Sequence, residues 1–148
     1  MSTMAKQREQ LKAFATGDID RAQELNNSLS DQDRGDYHKL LGALFAVLLD
    51  NHFQGNTSPQ AIAEFVNRIR RDYESANMPF NSWAVEGVLR ATAGEEHLFD
   101  QLSSEDILTT QTLVVGRLAI YNPGVSSNID QFLDDAEELV AEWEREGQ

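Results

Sequence analysis

The side chains best suited to hold a metal are Glu96, His97 and Asp100, in the run EEHLFD. Two carboxylates and an imidazole are competent donors for a divalent cation. On an α-helix, Glu96 and Asp100 would share a face. The fixed spacings of helix-borne zinc and di-iron sites are missing, because the chain holds no HExxH, no His-x-His and no Glu-x-x-His. A solvated acidic turn accounts for the trio, so neither a metal nor a cofactor is expected. The run DQDRGD at residues 31–36 starts like a calcium loop, but its glycine stands at position 5 and Gly42 occupies position 12 in place of a glutamate. The RGD tripeptide inside it falls within an expected helix.

Other catalytic equipment is equally sparse. Cysteine is absent, which excludes thiolate nucleophiles, thiolate metal sites and disulfides. No Gly-x-Ser-x-Gly elbow, Gly-x-Gly-x-x-Gly fingerprint or Gly-Lys-Ser/Thr phosphate loop occurs. These gaps point away from an enzyme and toward a protein that works by contact.

The residues that could make such contacts lie near the end of the chain. Residues 126–148 carry eight acidic side chains against the single Arg145, more than half of the net charge of −13. Asp130, Asp134, Glu137, Glu138 and Glu142 are spaced to share one side of a helix. They suit a partner with a basic surface, since complementary charge speeds association. The same spacing would let the carboxylates imitate phosphates and occupy a nucleic-acid-binding protein. Direct binding of nucleic acid is not expected, because phosphate contacts need a basic surface. The one basic turn, residues 68–71, is flanked by Glu64, Asp72 and Glu74, which are expected to pair with it. Trp143, near the C-terminal end, either pins the last helix or anchors a contact. Phe80, in the loop after Met78 and Pro79, is a second candidate anchor. Self-association through the C-terminal stripe or the Phe80 face is the alternative to a foreign partner. An acidic face that serves only solubility is the plainest reading.

These residues must be positioned by helices. With 148 residues, 41% hydrophobic, the chain can fold around a single core. Prolines 59, 79 and 123 each sit in a polar cluster and divide it into blocks. Residues 4–16 read as a short helix, loosely attached, with Gly17 as its stop. Asp18 is an expected N-cap. Ser30 with Asp33 resembles a capping box opening a helix over about 31–52. Its stretch LLGALFAVLL is apolar all round, which marks it as the central buried helix. Ser58 and Pro59 open the next helix. Others are expected over 82–93, closed by Gly94, over 104–121 with Ser104 as cap, and over 127–148. Residues 95–102 form a short helical turn or loop.

The β-branched run around Thr109–Val115 keeps strand as a competitor for that segment. Gly42 and Gly87 inside helical patterns suggest close helix crossings. The segment GDIDRAQELNNSL resembles one half of a tetratricopeptide repeat, but no second copy occurs and a solenoid is not expected. The reading is therefore a single all-α domain of six or seven helices, residues 1–148. The polar N-terminus carries no apolar signal region, and no apolar run approaches the roughly 20 residues of a membrane span, so a cytoplasmic location is expected.

Overall fold

A computed structural model describes residues 5–147. It is 83% helical, with no strand among the described residues, so the all-α expectation holds. The helices are α1 (Ala5–Ala15), α2 (Ile19–Asn27), α3 (Asp31–Phe53), α4 (Pro59–Ser75), α5 (Ser82–Thr92), α6 (Ser104–Tyr121), α7 (Pro123–Ser127) and α8 (Ile129–Glu146). A 3-10 helix, Glu96–Gln101, stands between α5 and α6. The expected count of six or seven is exceeded by α7 and this 3-10 turn. Of the expected helices, residues 4 and 148 lie outside the described residues.

The local signals that set these boundaries are mostly visible as hydrogen bonds. Asp18 caps α2 by accepting from the Arg21 N–H. The Ser30–Asp33 box closes in both directions: the Ser30 N–H donates to the Asp33 carboxylate and the Asp33 N–H to the Ser30 hydroxyl, both at 3.2 Å. Ser58 accepts from the Ala61 N–H with Pro59 in the first turn of α4. Gly17 (φ 85°) and Gly94 (φ 138°) take left-handed backbone after α1 and α5, which side chains resist and glycine adopts freely.

Two boundaries differ from expectation. The α6 cap is Ser103, not Ser104, because the hydroxyl that reaches the Asp106 N–H (3.0 Å) must stand one residue before the first helical one. The start expected near Ser127 or Asn128 is split in two. Asn122 and Pro123 open the short α7, and the Asn128 side chain donates back to the Gly124 carbonyl (2.9 Å), separating α7 from α8. The β-branched segment is helix, and its Thr112 hydroxyl donates to the Leu108 carbonyl one turn back (3.0 Å).

The described residues form two compact units, one running to Leu49 and resuming at Val114, the other Asp50–Leu113. In the first, α1 lies against α2 and α8, and α7 against α8. Leu11, Leu40, Leu41, Leu44, Val114, Val115 and Leu133 are fully buried there. A methyl group on Gly116 would come within 3.1 Å of the Phe14 ring, so α6 approaches α1 closely at that point. Gln7 of α1 is buried and donates to the Asp33 carbonyl (3.2 Å), and Ser126 donates to the Ala15 carbonyl (3.1 Å).

In the second unit, α4 packs on α5 and α5 on the 3-10 helix. Its core holds Ile62, Phe65, Val66 and Ile69 from α4, with Ala84, Val85, Val88 and Leu89 from α5. The Leu102 side chain packs over Gly87, where an added methyl would meet it at an ordinary contact distance of 3.4 Å. The chain leaves α4 through Asn77 (φ 56°), and the Met78 N–H returns to the Tyr73 carbonyl (2.9 Å). That turn delivers Phe80 onto the face of Tyr73, ring centres 5.4 Å apart and nearly parallel.

Candidate functional site

The residues singled out in the sequence separate into three places. The first is α8. Buried Ile129, Leu133, Ala136 and Val140 fix which side of this helix faces inward. At 100° per residue, Asp130, Asp134 and Glu137 then fall together on one flank. That flank is already occupied. Arg8 of α1 donates to the Asp134 carboxylate (2.6 Å), the Glu137 carboxylate (2.8 Å) and the Asp130 backbone carbonyl (2.9 Å). Lys12, one turn further along α1, binds the Asp130 carboxylate at 3.1 Å. The Lys12 ammonium, with Arg8 beside it, holds the Asp130 carboxyl below the usual carboxylate range.

Three of the five carboxylates expected to await a partner are thus neutralised from within. Glu138 and Glu142 point away from α1 and are exposed, and neither pairs with another described residue. Trp143 is 42% exposed on the opposite flank, one turn beyond half-buried Leu139. Glu144 stands 3.8 Å from Lys39.

The second place is the loop around Phe80. Phe80 is half-buried rather than a free anchor, because Tyr73 supports its ring. It forms one wall of a half-open cavity of about 360 Å³. Pro79, Ala84, Val85 and Leu113 supply the rest of its apolar lining. Asp106, Thr109, Thr110 and Asn81 are its polar members, and the Asn81 side-chain Oδ1 is committed to capping α5 by accepting from the Ala84 N–H (3.2 Å). The neighbours Met78 (52%) and Trp83 (59%) are among the most exposed large apolar side chains described.

A helical wheel through buried Ala84, Val85, Val88 and Leu89 puts Trp83 on the far side of α5, a signal present in the sequence. Asp106, Thr109 and Thr110 had no such signal as site residues, because only the fold brings α6 beside the Phe80 loop.

The third place is the Glu96–His97–Asp100 run. It lies in a 3-10 helix, where each residue advances about 120°. Residues four apart therefore diverge, whereas on an α-helix they would share a face. All three side chains are exposed. Among the described residues no group of three or more His, Asp or Glu side chains converges as a metal would require.

The strongest ion pair nearby is the adjacent Glu95, which takes both the Nε (2.6 Å) and Nη2 (2.8 Å) hydrogen bonds of Arg90. Those bonds hold the Glu95 carboxyl below its ordinary range. The pair edges a second shallow cavity, about 340 Å³, with Thr57, Pro59, Ile62 and Gly94. His52 packs against Phe53 and Phe65, ring centres 4.8 Å from each. Burial, with Arg68 nearby, lowers its pKa and favours the neutral ring. In the basic turn of α4, Arg70 pairs with Glu74 (3.4 Å) as its spacing predicts, and Arg71 donates to the Asn67 carbonyl (3.3 Å).

No helix of the described residues is long and apolar enough to cross a membrane. No protein-family model, no curated protein and no solved structure matches the chain.

Proposed function

We propose that this protein is a non-catalytic binding protein that engages a partner of basic surface through the outer face of α8, as an inhibitor, immunity-like protein or adaptor does. The observation that supports this reading is the division of charge on α8. Asp130, Asp134 and Glu137 are spent on Arg8 and Lys12. Glu138 and Glu142 stay exposed, on the same helix as a tryptophan that is 42% exposed. An exposed aromatic anchor on a helix that also carries two unpaired carboxylates suits an interface of apolar centre and charged rim.

The division also argues against imitation of a nucleic-acid backbone. A phosphate ladder needs a continuous row of charges, and Arg8 interrupts this one. The cytoplasm is the compartment that a cysteine-free chain suits by default.

The experiment is photo-crosslinking in cells with benzoylphenylalanine at Trp143, repeated in a Glu138→Gln/Glu142→Gln background. The reading expects one dominant partner with a basic contact surface, lost in the double variant although its melting temperature matches the parent. Binding of the purified partner should weaken as salt rises. Adducts only to a second copy of the chain would replace this reading with self-association. A partner held equally well by the double variant and at high salt would end it.

A further inference from the structure

We infer that the cavity beside Phe80 binds a small organic cation: a compact apolar body carrying one ammonium group. This site lies wholly within the Asp50–Leu113 unit and is independent of the reading of α8. The volume, about 360 Å³ with an open mouth, falls in the range of small-ligand pockets and is too small for a docked helix. Phe80, Val85 and Leu113 offer the apolar contact, and the Phe80 ring is held in place by its stacking on Tyr73. A pre-positioned wall spares the ligand the cost of ordering it.

The polar groups give the sign of the charge. Asp106 is the one ionisable residue of the lining. Its backbone N–H is bound by the Ser103 hydroxyl, whereas its carboxylate takes no hydrogen bond or ion pair from a described residue. The half-buried Asp106 carboxylate is therefore open to an ammonium donor. Thr109 and Thr110 follow it on α6 and add hydroxyls that accept or donate. The charge of the stretch agrees with this preference, since residues 80–113 hold six acidic side chains against Arg90 and His97. An anion would meet the Asp106 carboxylate, and a neutral body would leave it unanswered.

The test follows amide shifts of the full chain in nitrogen–proton NMR spectra during titration with phenethylammonium, phenylethanol and phenylpropionate. Phenethylammonium should give saturable shifts confined to residues 79–85 and 106–113. Phenylethanol should bind roughly tenfold more weakly, the worth of one charge-assisted hydrogen bond. Phenylpropionate should not bind. Asp106→Asn should bring the ammonium down to the level of the alcohol, and Ala84→Leu should abolish both by filling the space. Asp106→Asn adds no bulk, so it remains informative should Ala84→Leu fail to fold.

Equal affinity for the ammonium and the alcohol would overturn the proposal. So would shifts scattered elsewhere, or no saturable shift at all. A blocked Phe-Lys peptide that binds where the free amine does not would also overturn it, moving the cavity to a partner's side chain.

Discussion

Arg8 shows how much one side chain can commit. Its guanidinium bridges two carboxylates and a backbone carbonyl of α8, and it is only 22% exposed. An isolated surface ion pair contributes little, but a fork shared among several acceptors and partly shielded is worth more. Arg8→Ala should lower unfolding stability by about 1–2 kcal/mol. Arg8→Lys should recover only part of this, because an ammonium cannot reproduce the planar fork. Urea melts of the three proteins at low and high salt check both statements. Losses that are equal for Ala and Lys would assign the effect to the fork alone, and no loss would make the contact incidental. The pairing has a faint trace in the sequence: residues 1–17 are net basic while residues 126–148 are strongly acidic. Nothing in that trace singles out Arg8, since a contact across more than a hundred residues has no local spacing rule.

Capping chemistry governs the elements. The Ser30–Asp33 box satisfies two backbone N–H groups at the start of α3, the helix whose residues 40–49 are largely buried. Ser30→Ala should cost about 1 kcal/mol, the usual worth of an N-cap. The bond from the Ser30 N–H holds the Asp33 carboxyl below its ordinary pKa. A lowered carboxyl binds its proton less readily folded than unfolded. Its stabilisation is therefore complete above the unfolded value, about 4, and is lost as pH falls through the folded value. Asp33→Asn should narrow the stability gap between pH 7 and acid relative to the parent, whereas Ser30→Ala keeps the backbone bond and with it much of the effect. A gap of unchanged size in paired denaturation curves would remove Asp33 from the acid sensitivity.

The same residue types misplaced one boundary and hid another. Ser103 and Ser104 are adjacent, so composition could not choose the cap of α6, and geometry chose Ser103. Asn122 and Pro123 carry the same start signal as Ser58 and Pro59, but α7 is only five residues long and gives no apolar period to read.

Over the whole molecule, the charge of −13 leaves most carboxylates without a cation, because 25 acidic residues face 12 basic ones. Like-charge repulsion opposes the compact state and is screened by salt over a Debye length of about 10 Å at 0.1 M. The melting temperature should therefore rise from about 0.02 M to about 0.5 M NaCl, even though the Arg8 cluster weakens over the same range. A falling melting temperature in differential scanning calorimetry would mean that the internal pairs outweigh the repulsion.

The sequence alone determined the helical class, the stop of α1, the start of α4, the extent of α5 and the buried character of α3. These follow from periodicity, caps and left-handed glycines, which act within a turn or two of the chain. Only the tertiary structure decided that α1 neutralises one flank of α8, that Tyr73 supports Phe80, and that Asp106 faces an apolar cavity. Each of those joins side chains from different segments, and which of them meet is set by packing, which no local spacing encodes.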